Sequence, residues 1–331
     1  MVVAGRKKDP PLAADIRSAR ERIRPYVHRT PVLTCTTLDE MAGCRLFFKP
    51  ENLQKAGAFK ARGATNAVFC LPEELAGHGV ATHSSGNHAA ALARAARLRG
   101  IPAHIVMPEN SPEVKKAAVA GYGAEITFCA PTLQAREDAL GEVVEKTGAV
   151  FIHPYDEPLV IAGQATAALE LLEDAGPLDI LVAPVGGGGL MSGTCLAAAM
   201  KAPATRLVGA EPAGADDAFR SLQAGRLLPS ENPRTIADGL LTSLSPLTFS
   251  ILRKYLECIV TVGEEDIVHA MRLVFERMKL VVEPSAAVAL AAVLAGDFRQ
   301  HGRRVGVILS GGNVEIESLP WCRPAPEPKP G

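Results

Sequence analysis

Short apolar runs rich in valine and isoleucine alternate along the chain with longer stretches of helical period. "VATH" near residue 80, "HIVMP" at 104, "EITFC" at 125, "ILVAPV" at 180, "RLVGAE" at 206 and "VGVIL" at 305 read as strands. Runs of this kind suit parallel strands covered on both faces. "NHAAALARAARLRG" from 87, "ATAALELLEDAG" from 165 and "EDIVHAMRLVFERMK" from 265 read as helices. The alternation predicts an α/β architecture. No internal repeat is visible, and no shift of composition marks a domain boundary. The first dozen residues and the tail "RPAPEPKPG" are rich in proline and charge, and frayed ends are expected there.

Three of the strands run into loops of glycine and serine. "VATH" leads into "SSGNH", "ILVAPV" into "GGGGLMSG" and "VGVIL" into "SGGN". In open α/β sheets, ligands sit beyond the carboxyl ends of strands. There, backbone N–H groups of glycine-rich turns and helix N-termini favour anions. Gly186 to Gly189, followed by a helix start at Leu190, make the best phosphate cup in the chain. The run is neither G-x-G-x-x-G nor a nucleoside-triphosphate loop, which needs a following Lys-Ser/Thr. In "SSGNH", Ser84, Ser85 or Asn87 could simply cap the next helix. Beside two similar loops, a second anion site for a carboxylate is the better reading. Ser310 in "LSGGN" by itself reads as a turn residue.

"AGAFKARGA", residues 56 to 64, sets one lysine among very small residues. Small residues let something approach the backbone, and the expectation is that a ligand does so. A partly desolvated lysine near anion-binding loops is the setting of a Schiff-base amine. Lys60 with a phosphate cup and no metal cluster points to pyridoxal phosphate, which brings its own electron sink.

Composition narrows the alternatives. The chain has 331 residues, 47% hydrophobic and 21% charged, enough for two domains or one large one. A formal net charge of -1 gives no broad attraction to nucleic acid or an anionic membrane. Seven scattered cysteines, with no C-x-x-C and no zinc spacing, read as reduced thiols. No secretory signal and no apolar stretch of spanning length is present. A soluble cytoplasmic protein is expected.

"KPENLQKAGAFKARGA", "THSSGNHAAAL", "IAGQATAALE", "VAPVGGGGLMSG", "ADG" and "LSGGN" together resemble serine racemase and the serine/threonine dehydratases. These are pyridoxal-phosphate enzymes of fold type II, the tryptophan-synthase β-subunit fold. The resemblance keeps motif order from about residue 15 to about 318. It implies two open parallel-sheet α/β domains with the active site between them. The large cofactor-binding domain would comprise 1–74 and 155–331, and a small mobile domain 75–154. It further implies that Lys60 bonds to the cofactor, with Phe59 beside it and Asn87 on the ring hydroxyl. Gly186, Gly187, Gly188, Gly189 and Leu190 would bind the phosphate, Ser310 would face the pyridine nitrogen, and Gly239 would lie near the ring. Ser84, Ser85, Gly86, Asn87 and His88 would hold a small hydroxy amino acid.

The implied reaction is loss of a β-hydroxyl, giving a 2-oxo acid and ammonia. Serine rather than alanine at position 85 implies racemisation as well, with Lys60 and Ser85 on opposite faces of Cα. A dehydratase of another β-hydroxy amino acid, such as 3-hydroxyaspartate, stays open, as does a non-catalytic protein that binds the cofactor or an amino acid. Glu211, Asp217 and the Ala215 carbonyl match the racemases' Mg2+ or Ca2+ site, although an acidic helix cap also explains "GAEPAGADD". A homodimer is implied. Tyr122, Arg277 and Lys279 match the racemases' ATP site, but Ala90 stands where a glutamine is common, which leaves an ATP effector in doubt.

Overall fold

The alternation of apolar runs with helical segments resolves, in a computed structural model describing residues 8–296 and 303–322, into two parallel sheets. The strands are Arg45–Pro50 (β1), Val80–His83 (β2), Ala103–Pro108 (β3), Glu125–Cys129 (β4), Val150–Phe151 (β5), Ile180–Pro184 (β6), Arg206–Pro212 (β7), Cys258–Val262 (β8) and Arg304–Leu309 (β9). One sheet has the order β1-β9-β6-β7-β8 and the other β4-β3-β2-β5. Every pairing within both is parallel.

Parallel sheets need cover on both faces, and the helices supply it. The helix Pro284–Ala295 lies in the core on one face of the larger sheet, with β6, β7 and β9. Pro158–Asp174 and Gly189–Lys201 close the other face. In the smaller sheet Asn87–Arg99 packs on one face and Leu133–Thr147 on the other. All six strands expected from the sequence are present.

The differences have local causes. The helix expected from 165 begins at Pro158, with Glu157 as its cap. Its first turns are buried all round, so no polar stripe marks them. The helix near 265 spans Glu264–Leu273 and passes into a π-helical turn, Val274–Met278, stopped by Lys279 in the left-handed region at φ 59°. β1 is masked by its own lysine. Lys49 is fully buried and donates to Glu170 Oε2 and the Thr30 carbonyl, each at 2.7 Å. β5 is too short to show a period. Of the ends expected to fray, "RPAPEPKPG" and residues 1–7 fall outside the described residues, and residues 8–12 have no regular structure before the helix Ala13–Ile23.

Candidate active site

The carboxyl ends of β2, β6 and β9 open onto one pocket, so the three Gly/Ser loops meet there. Lys60, Ser84, Ser85, Asn87, the four glycines from Gly186 to Gly189, Gly239 and Ser310 all line it, as do Phe59, Gly86, His88 and Leu190.

Lys60 is the first residue of the helix Lys60–Phe69. The chain entering that helix is clamped to the end of β9: Ala58 bridges Gly311, and Phe59 N–H donates to Ser310 O at 3.0 Å. The helix is held from behind by buried charge. Arg62 donates to both oxygens of Glu51 (2.7 and 2.8 Å) and to both of Glu170 (2.8 Å each). Gly57 and Gly63, the glycines flanking Lys60, make room for protein atoms and not for a ligand, contrary to expectation. A Cβ on Gly63 would lie 2.4 Å from Gln164 Nε2 and 2.6 Å from the Val160 carbonyl, so glycine there admits the helix Pro158–Asp174. Gly57 is likewise filled from outside by the Asn313 side chain.

The Lys60 amine faces the pocket, donating to the Pro154 carbonyl at 2.9 Å and lying 5.1 Å from the Phe59 ring centre. Burial lowers its pKa to about 8, with Glu283 pulling the other way. A useful fraction of the amine is therefore neutral near physiological pH.

The glycine cup follows β6 and opens the helix Gly189–Lys201, whose first amides have no intrahelical acceptor. Glycine is required here by neighbours. A Cβ on Gly187 would sit 2.4 Å from the Tyr155 ring, and Gly188 has φ +83°. At the β2 loop, Gly86 N–H donates to Ser84 Oγ at 3.3 Å, and the helix Asn87–Arg99 begins at once. The His88 ring is buried, with Nε2 3.2 Å from Ile152 O and no partner for Nδ1 among the described residues. The Ser310 side chain is buried at the pocket wall, and Gly239 N–H donates to Ser285 Oγ at 2.9 Å.

Several pocket residues escape sequence reading. Asn87 Nδ2 donates to both Glu283 oxygens, at 2.8 and 3.0 Å, and Asn87 Oδ1 accepts from Asn313. Burial pushes the Glu283 carboxyl up to about 7. Lys115 forms an ion pair with Asp238. Arg136 lines the pocket, and its Nε bonds the Thr132 carbonyl of its own helix at 3.3 Å. No ion pair of Arg136 occurs among the described residues. His83 and His153 are driven down to about 4 and about 3, chiefly by burial, so both are neutral. The position of His153, just beyond the carboxyl end of β5, was the available signal, but a two-residue strand hides it.

Away from the pocket, Glu211 at the end of β7 accepts from the Ala218 and Phe219 amides, at 3.1 and 2.7 Å. The Asp217 carboxylate is buried, with the Leu244 backbone and the Ser230 side chain as its hydrogen-bonding neighbours. Burial raises Glu211 to about 8 and Asp217 to about 6. Ala215 is buried in the turn between them. Among the described residues no three His, Cys, Asp or Glu side chains gather as a metal cluster. A cation here would rest on two carboxylates and main-chain oxygen. Tyr122 and Ala90 line a second cavity beside Asn313, whereas Arg277 and Lys279 do not. No helix among the described residues is long and apolar enough to cross a membrane.

The family model described as "Pyridoxal-phosphate dependent enzyme" matches residues 23–311. A β-hydroxyaspartate dehydratase of Paracoccus denitrificans (strain Pd 1222) is 50% identical over 94% of this chain and 99% of its own. The crystal structure of serine racemase from Dictyostelium discoideum is 49% identical, covers 92% of this chain and 99% of that one, and superposes with a TM-score of 0.88. The crystal structure of a T.th. threonine deaminase is 47% identical with the same coverage, 92% and 99%, and TM-score, 0.88.

Proposed function

The chain belongs to the pyridoxal-phosphate dependent enzymes, and from that premise we propose that it is an ammonia-lyase for small β-hydroxy amino acids that also racemises serine. The observation that carries this reading is one pocket lined by both Lys60, with its amine pKa lowered to about 8, and Ser85.

The residues fit the cofactor. Gly186 to Gly189 offer a cup of backbone N–H groups at a helix N-terminus, suited to a phosphate. Lys60 offers an amine within the same pocket, and Ser310 a neutral hydroxyl in place of an acid for the pyridine nitrogen. Phe59 and Gly239 would flank the ring, and Asn87, tied to Glu283, would serve its hydroxyl. The bound cofactor supplies the electron sink that makes the substrate's Cα–H acidic. The neutral Lys60 amine takes that proton as general base. Ser85 stands on the other face of Cα and returns a proton there, which inverts the centre. The Ser84–Gly86 loop and the first amides of the helix Asn87–Arg99 hold the substrate carboxylate. His88 contributes by its amide, since its ring is committed to Ile152 O.

Residues 75–154 form the smaller, moving domain in this reading. Its closure onto 1–74 and 155–331 excludes water from the reacting centre. Glu211, Asp217 and the Ala215 carbonyl would hold Mg2+ or Ca2+, which would order the larger domain. Two buried carboxylates whose charges repel one another support that assignment.

A second reading has its own observation. Arg136 brings to the pocket a cation without an ion-pair partner among the described residues, which suits a substrate with a second carboxylate, and 3-hydroxyaspartate is such a substrate. The dehydratase of that name, 50% identical, supports it. The test is 2-oxo acid release from L-serine, L-threonine and the 3-hydroxyaspartates, by wild type and by Arg136→Gln. The second reading expects 3-hydroxyaspartate to have the highest kcat/KM. It expects Arg136→Gln to lower that value roughly 30-fold or more, as for removal of one partner of a desolvated charge pair, while sparing L-serine. Equal effects on all three substrates leave the serine/threonine reading in place, and no 2-oxo acid from any of them defeats both.

A further inference from the structure

His153 projects into the pocket with its tautomer fixed by the chain. Its Nδ1 accepts two backbone hydrogen bonds, from Asp156 N–H at 2.9 Å and Tyr155 N–H at 3.3 Å. A nitrogen that accepts from two N–H groups carries no proton, so the proton resides on Nε2. Protonating Nδ1 would set three N–H groups against one another. The ring is thus held as a neutral donor, in agreement with the downward shift from burial.

The surroundings fix where that donor stands. The ring meets Tyr155 edge-on, with centroids 4.6 Å apart, and Tyr155 in turn packs on Gly187 and Gly189 of the phosphate cup. The ring also lies edge-on to His83, centroids 6.4 Å apart, the last residue before the Ser84–Gly86 loop. The next residue, Pro154, carries the carbonyl that Lys60 Nζ bonds. His153 therefore lies between the two anion-binding loops and beside the base.

We propose that His153 Nε2–H binds the oxygen on the substrate's Cβ and holds it in line for departure. This rests on the ammonia-lyase reading above. The elimination breaks Cα–H and Cβ–O. Lys60 takes the α-proton and, as the ammonium, returns it to the departing hydroxyl, which leaves as water; His153 supplies no proton and its ring stays neutral throughout. His153 contributes a hydrogen bond that strengthens as negative charge develops on the departing oxygen.

Two substitutions separate the ring's two nitrogens. In His153→Asn the side-chain oxygen replaces Nδ1 and keeps the turn, but the pocket donor is lost. In His153→Gln the side-chain NH2 replaces Nε2 and keeps the donor. Three quantities are read for each holoenzyme or apoprotein: kcat for 2-oxo acid release, deuterium exchange at Cα of L-alanine, and the dissociation constant for pyridoxal phosphate. L-Alanine has no β-oxygen, so its exchange reports Lys60 and the cofactor alone. The expected result is a fall in elimination kcat of about 100-fold in His153→Asn, the scale of losing one such donor. Alanine exchange and cofactor affinity stay within about twofold, and His153→Gln recovers most of the elimination rate.

A parallel fall of exchange and elimination would overturn the proposal, because the ring would then only support the fold. Weakened cofactor binding with little else would overturn it in favour of a donor to the phosphate. A wild-type protein that exchanges L-alanine but releases no 2-oxo acid defeats the ammonia-lyase reading first, and this proposal with it.

Discussion

In the proposed reaction Lys60 serves as the base because of where it is held. Burial lowers its pKa to about 8, against 10.5 for the free side chain, and Glu283 only partly offsets the shift. The neutral amine attacks the cofactor aldehyde, so capture by apoprotein should accelerate with pH and level off above about 8. Stopped-flow absorbance on mixing apoprotein with pyridoxal phosphate measures this. A rate still climbing steeply beyond about pH 9.5 would show an ordinary solvated lysine. The same residue shows what could be read beforehand. A lysine among small residues is conspicuous in the sequence, yet its flanking glycines answer to Gln164 and Asn313 and not to a ligand. His153, Arg136 and Glu283 could not be found that way, since each depends on chain segments far apart in sequence.

Among the elements, the strand–loop–helix units were the legible part. β2, β6 and β9 are buried along most of their length and run within two residues into glycine or serine, so their local chemistry marks both the strand and the loop beyond it. β1 and β5 lacked that signal, one through buried Lys49 and the other through length. The turn from β7 into the helix Asp217–Ala224 carries its own prediction. Burial raises Glu211 from 4.5 to about 8 and Asp217 from 3.8 to about 6. Between the unfolded and folded values the native state holds protons that the unfolded chain has released. Stability of metal-free protein accordingly falls as pH rises through this window. A divalent cation favours the ionised carboxylates and reverses the trend. Added Mg2+ should raise Tm more at about pH 8 than at about pH 6, and Asp217→Asn should remove most of that difference. A Tm indifferent to Mg2+ and Ca2+ at both pH values would leave the two acids as a helix cap only.

At the scale of the whole molecule, the pocket lies where the two sheets' loops face each other. Lys60 bonds Pro154 O, Asn87 bonds Glu283, and Lys115 pairs with Asp238, each pair linking residues within 75–154 to residues outside it. Such contacts bring the Lys60 amine and the Ser85 hydroxyl, from different parts of the chain, to the same pocket. The central claim is that Lys60 and Ser85 act on opposite faces of the substrate's Cα. Incubating L-serine with wild type and with Ser85→Ala, and quantifying pyruvate and D-serine in the same sample, tests it most directly. The account predicts both products from wild type, and pyruvate without D-serine from Ser85→Ala. D-Serine formed at an undiminished rate by Ser85→Ala, or neither product from wild type, would contradict it.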